Sequence, residues 1–183
     1  TTNSKGVVSL KINSAIGYTY KLTYEYSGSI YYGSSSGSVN LKTKMATTLT
    51  GSSSIIVKGN AYKVTLKDGN GKALSKKTVT FVFNGNTYTR TTNSKGVASL
   101  TISSQAGKTY KLSYSYAGSS YYNRSSSGNI NLAVKLSTSL KNSGNSIMNN
   151  SSYVVTLKDG DGKGISGKTL TFTLDGNTIK NTT

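Results

Sequence analysis

The stretch GYTYKLTYEYSGSIYY, from Gly17, returns as GKTYKLSYSYAGSSYY from Gly107, identical at 11 of 16 positions and 90 residues later. A second pair, YKVTLKDGNGK from Tyr62 and YVVTLKDGDGK from Tyr153, lies 91 residues apart, the extra residue falling near Asn123-Arg124. A period of this length restricts the chain to an array of small like units, each in contact mainly with its neighbours. The two pairs interleave. The chain therefore divides into the back half of one unit (1–43), a complete unit (44–134) and the front half of another (135–183).

TTNSKGV opens the chain at Thr1 and recurs at Thr91, and Thr182-Thr183 stand where a third copy would begin. Two readings account for ends that fall at one point of the repeat. The preferred one is a window on a longer repetitive polypeptide. In the other, the chain is a subunit whose front half pairs with the back half of the next copy, a head-to-tail contact that builds a filament.

No stretch sustains a helical period, whereas short segments alternate apolar and polar residues between Gly, Asn and Ser clusters. In the complete unit a first strand near Lys44–Thr50, continuing through Ile55–Lys58, precedes Ala61–Lys67. There Tyr62, Val64 and Leu66 share one face, and Lys63, Thr65 and Lys67 the other. Thr78–Asn84 turns Val79, Phe81 and Phe83 inward, and Asn84-Gly85-Asn86 is a tight turn into Asn86–Thr92. Asn93-Ser94-Lys95-Gly96 reads as a corner and hairpin turn before Val97–Ser103. Lys108–Ala117 sets Tyr110, Leu112, Tyr114 and Tyr116 on one face, and Asn129–Val134 closes the unit with Ile130, Leu132 and Val134 in phase. Turns at such short intervals predict an all-β chain of tandem immunoglobulin-like β-sandwich repeats of about 90 residues.

Composition removes most catalytic chemistry. The chain has no His and no Cys, so disulfides, imidazole or thiolate metal sites and Ser-His or Cys-His nucleophiles are excluded. Of the carboxylates, Glu25 aligns with Ser115 and Asp175 with Asn84, so no acid pair persists in both copies, and the chain is read as no enzyme. No cofactor is expected. With 22 basic against 5 acidic residues the net charge is +17, which attracts polyanions such as acidic glycans or envelope polymers. The lysines are scattered and do not form a run, so no specific nucleic-acid binding is expected. No apolar run is long enough to span a membrane, and any export signal or anchor is expected outside these residues.

Asp159-Gly160-Asp161-Gly162 resembles the start of a calcium loop but lacks the further oxygen ligands, and its counterpart Asp68-Gly69-Asn70-Gly71 reads as a turn. A Lys–Asn crosslink would need a buried Lys beside an acid, whereas most lysines here fall on outward faces. The pairs Tyr31-Tyr32 and Tyr121-Tyr122 are candidate aromatic contacts for sugars or bases; alternatively, one ring of each pair caps the open end of the sandwich. Asn123, Asn149, Asn150 and Asn181 each begin an N-x-[ST] pattern, the acceptor for N-glycosylation, in predicted loops or strand ends.

The run Tyr110-x-Leu112-x-Tyr114-x-Tyr116-Ala117-Gly118, then Tyr121-Tyr122-Asn123 and Ser125-Ser126-Ser127, resembles the terminal strands of bacterial immunoglobulin-like (Big) repeats. Val64-Thr65-Leu66-Lys67-Asp68-x-x-Gly71-Lys72, Val79-Thr80-Phe81 and TTNSKG resemble the earlier strands and corner of those repeats, as found in adhesin-like surface proteins of methanogenic archaea and bacteria. The resemblance implies an extracellular, cell-surface location and a stalk or fibre role. Its partners would be neighbouring immunoglobulin-like repeats of the same or identical chains. Members often carry an acid after the Tyr-x-Gly element, where this chain has Ser29 and Ser119.

Overall fold

Alternation of side chains along short segments leaves the backbone no helix to form, and every regular element is a strand. The computed structural model describes all residues, 1–183. In chain order the strands are β1 (Thr19–Tyr26), β2 (Ser35–Lys42), β3 (Thr47–Gly51), β4 (Ile55–Val57), β5 (Ala61–Asp68), β6 (Thr78–Phe83), β7 (Asn86–Thr91) and β8 (Val97–Thr101). They continue as β9 (Lys108–Tyr116), β10 (Ser125–Ser126), β11 (Ile130–Lys135), β12 (Thr138–Asn142), β13 (Val155–Asp159), β14 (Thr169–Leu174) and β15 (Asn177–Thr182). The all-β expectation holds.

Within 44–134 the strands sort into two sheets. One runs β3-β5-β8; the other runs β4-β11-β9-β6-β7, with β10 paired to the end of β9. The partial copies hold three two-stranded antiparallel ladders, β1-β2, β12-β13 and β14-β15. The chain clusters into two compact units, one of Thr1–Ser52, Lys63–Leu100 and Ser113–Asn129, the other of Ser53–Tyr62, Thr101–Leu112 and Ile130–Thr183.

In the first unit the inward faces meet. Val64 and Leu66 of β5, Val79, Phe81 and Phe83 of β6, and Tyr114 and Tyr116 of β9 are all buried. Leu66, Leu74 and Tyr116 form one cluster with Leu49 and Tyr122 against it, and the Phe81 and Tyr114 rings lie 6.3 Å apart at 55°. In the second unit Ile56, Tyr62, Ile102, Leu112, Leu132 and Val134 are buried, and β4 runs parallel to β11. Apart from Ile56 and Ile102, these side chains are ones that the period-2 pattern aligned.

The turns follow their residue types. Asn84 (φ 48°) and Gly85 (φ 82°) form a two-residue turn closing the β6-β7 hairpin, and Asp175 (φ 46°) and Gly176 (φ 81°) repeat it between β14 and β15. Asp68 Oδ1 accepts from the backbone N–H groups of Asn70 (3.0 Å) and Lys72 (2.9 Å), and Asp159 does the same for Asp161 and Lys163. One oxygen of each carboxylate thus orders its own turn.

The reading of Asn93–Gly96 as a hairpin turn is corrected. The strands it joins lie in different sheets, β7 beside β6 and β8 beside β5, so the segment is a crossover corner. Asn93 Oδ1 accepts from Lys95 N–H and Val97 N–H, while Leu66 N–H of β5 donates to the Gly96 carbonyl at 2.8 Å. A Cβ on Gly96 (φ 72°) would stand 2.5 Å from the Leu66 carbonyl oxygen, so only glycine lets the corner touch β5. The buried Thr92 hydroxyl fixes the approach by donating to the Leu74 carbonyl (2.6 Å) and accepting from Lys77 N–H (2.9 Å).

Candidate functional site

After β9 the chain must turn back before β10, and Gly118 (φ 86°) begins the reversal. Ser119 Oγ accepts from the N–H groups of Tyr121 (3.1 Å) and Tyr122 (3.0 Å), and Ser119 N–H donates to the Tyr122 carbonyl. Ser119 thus serves as a local turn acceptor. The two rings meet edge to face, 5.1 Å between centroids at 71°.

Tyr122 is half-buried against the Leu66, Leu74 and Tyr116 cluster, with Lys77 Nζ 5.5 Å from its ring centroid. Burial raises its phenol pKa above the ordinary value, and the charge of Asp68 and the neighbouring Tyr121 and Tyr116 raise it further. The Tyr116 hydroxyl is buried without a hydrogen-bond partner.

The same corner is paired with the first residues of its own copy and, through Tyr121, touches the preceding one. Met45 N–H donates to the Tyr121 carbonyl (2.9 Å), Asn123 N–H donates to the Met45 carbonyl (2.7 Å), and the Thr47 hydroxyl lies 2.9 Å from the Asn123 carbonyl oxygen. On the other side, Gly17 N–H donates to the Thr43 carbonyl, and the Thr43 hydroxyl donates to the Ala15 carbonyl. The Tyr121 ring lies on Gly17, where a Cβ would come within 2.7 Å of it. Between the ladder ending at Lys42 and the bridge at Met45, only Thr43 and Lys44 remain outside regular pairing.

Tyr31-Tyr32 behaves differently. Both rings are exposed, at 85% and 70%, so the capping seen for Tyr122 has no counterpart at Tyr32. The four Asn-x-Ser/Thr asparagines are all exposed: Asn123 beside Tyr122, Asn149 and Asn150 in a turn, and Asn181 on β15. Asn149, Asn150 and Asn181 line one open groove of the second unit with Ile147, Phe172 and Ile179, a convergence that sequence spacing did not reveal. No three of the acidic residues gather into a metal-binding group, and no helix is long and apolar enough to cross a membrane.

No family model matches the sequence. No curated protein matches it either. Among solved structures, the chain is similar to one that gives insight into host cell surface retention of a 1.5-MDa bacterial ice-binding adhesin. The TM-score is 0.35 at 16% identity, over 85% of this chain and 57% of the other. A second is a Ca2+-stabilized adhesin that helps an Antarctic bacterium reach out and bind ice, with a TM-score of 0.32 at 16% identity, over 90% of this chain and 45% of the other. Both neighbours are bacterial adhesins, and the chain spans about half of the length of each.

Proposed function

We propose that this chain is a stalk or fibre segment of an adhesin-like cell-surface protein, built from tandem immunoglobulin-like repeats with 44–134 as one complete repeat. The observation that carries this reading is the junction at Thr43–Met45. It leaves almost no free linker between consecutive copies and seats Tyr121 of one on Gly17 of the other. A junction paired on both sides transmits position from one repeat to the next, which a spacer requires and a flexible tether does not supply.

The strand orders β3-β5-β8 and β4-β11-β9-β6-β7 support the immunoglobulin-like assignment, since early and late strands of the repeat alternate between two sheets. The sequence resemblance to Big repeats supports an extracellular setting. Function here is mechanical, carried by ladders and a Tyr, Leu, Val and Phe core.

Single-molecule stretching of a tandem polymer of the chain tests the proposal. Complete repeats should unfold one at a time, each lengthening the tether by about 300 Å, the extended span of about 90 residues. A featureless extension curve would sink the stalk reading.

A further inference from the structure

Asp68 is the only acid in the complete repeat 44–134, which carries twelve lysines and arginines. It is also buried, at 7% exposure, and its Oδ1 is taken up by the Asn70 and Lys72 N–H groups. The surface of this repeat therefore carries formal positive charge alone, with no carboxylate of its own to neutralise a lysine. The strands decide where those cations stand.

On β5 the buried Tyr62, Val64 and Leu66 leave Lys63, Thr65 and Lys67 on the outer face of the β3-β5-β8 sheet, where both lysines are exposed. The neighbouring strands add hydroxyls. On β3, Thr48 lies opposite Lys67 and Thr50 opposite Thr65, and both β3 threonines are exposed. On β8, Ser99 is exposed between the buried Ala98 and Leu100. A third lysine comes from the crossover corner, because the bond from Leu66 N–H to the Gly96 carbonyl holds the exposed Lys95 at the Lys67 end of β5. Lys63 and Lys67 are four residues apart, about 13 Å along a strand. At physiological salt the Debye length is about 8 Å, so a polymer lying along β5 stays within reach of one or the other throughout.

We infer that the outer face of β3-β5-β8 binds an acidic polysaccharide laid along β5, its carboxylates meeting Lys63, Lys67 and Lys95 and its hydroxyls meeting Thr48, Thr50 and Ser99. Three features select this partner. The cations are all lysines, which act as point charges on rotatable stems and suit carboxylates that arrive at no fixed angle. No aromatic ring stands among them, so a nucleic-acid base finds no platform on which to stack. The threonine and serine hydroxyls both donate and accept, as the hydroxyls of a sugar ring require.

The inference goes beyond the stalk reading, since the face is formed wholly by residues of 44–134. It also suits a repeated chain. Lys67 and Lys95 recur as Lys158 and Lys5, so the same two cations are written into the adjoining copies. A polymer long enough to meet successive faces is held by all of them at once, and its affinity rises without any new kind of contact.

Calorimetric titration of the full chain with polygalacturonate, at low and at physiological salt, tests the inference. Binding should be measurable at low salt and weaken as salt rises. The triple variant Lys63→Gln, Lys67→Gln, Lys95→Gln should lose about tenfold or more in affinity. Lys58→Gln, Lys76→Gln, Lys108→Gln together remove the same charge from elsewhere in the repeat and should lose less than about threefold. Thr48→Ala with Thr50→Ala should weaken polygalacturonate by about threefold, while leaving polyglutamate, which offers carboxylates without sugar, unchanged. All these side chains except the half-buried or loop positions of the control set lie on the exposed face, and an unchanged urea midpoint in each variant shows that the fold is intact. No measurable binding, or equal losses from the two triple variants, would reduce the attraction to net charge and overturn the inference. Polyglutamate or single-stranded DNA bound as tightly as polygalacturonate, or a threonine pair without effect, would overturn the choice of a polysaccharide.

Discussion

Replacing Tyr114 and Tyr24 by alanine, one at a time, asks the same chemical question at two copies of one sequence position. Tyr114 is 7% exposed and Tyr24 58%, a difference of about half of a tyrosine's 150–250 Å². At about 25 cal/mol per Å² that half is worth about 2.5 kcal/mol. The cavity left beside Phe81, whose ring is 6.3 Å from that of Tyr114, raises the total for Tyr114→Ala to about 3–5 kcal/mol. Tyr24 covers the backbone of Gly37, its partner across the β1-β2 ladder, so Tyr24→Ala should cost less than about 1 kcal/mol. Urea unfolding of the full chain, dilute enough to be monomeric, reads both from the midpoint at constant m-value. Two variants within about 1 kcal/mol of each other would refute the argument that a completed second half buries Tyr114.

Tyr116→Phe removes a buried hydroxyl that has no partner, and should raise stability by about 1 kcal/mol in the same assay; a loss of that size would reveal a partner. Gly96→Ala must hold φ 72° and drive a methyl into the Leu66 carbonyl, whereas Gly6→Ala holds φ 74° with nothing within 4 Å, so thermal unfolding should separate the two by about 2 kcal/mol or more. Tyr122 has a folded-state pKa above its unfolded value of about 10, so its contribution to stability is complete below that pH and is lost as pH rises through the folded value. Tyr122→Phe should therefore flatten the alkaline fall in unfolding free energy above about pH 10, and an unchanged slope would refute the assignment.

Strand positions and inward faces in 44–134 were legible because a two-residue period survives in the letters themselves, as at Tyr62, Val64 and Leu66. The allocation of strands to sheets was not. Nothing in TTNSKG distinguishes a hairpin from a crossover, since both use the same Asn acceptor and positive-φ glycine; the difference lies in Leu66, about 30 residues earlier, donating to Gly96. Nor could local sequence say that VASLT at Val97–Thr101 pairs with β5, about 30 or more residues earlier, and not with the adjacent β7. A strand's stability comes from the neighbour it pairs with, and propensity alone does not name that neighbour. The same holds for the tyrosine pairs, where Tyr122 packs against Leu66 and Leu74 while Tyr32 is exposed.

The parallel pairing of β4 with β11 bears on how a repeat takes load. Ile55 lies opposite Ala133 and Val57 opposite Lys135, with Ala133 N–H donating to the Ser54 carbonyl and Lys58 N–H to the Lys135 carbonyl. Tension applied through the chain draws β4 toward its own start and β11 toward its own end. The two strands are thus pulled in opposite directions along a common axis, and the bonds across them bear the force together in shear. An antiparallel pair pulled at its open end peels one rung at a time. A repeat fastened in this way yields only when its terminal rungs fail in concert, which sets a high threshold for the first break.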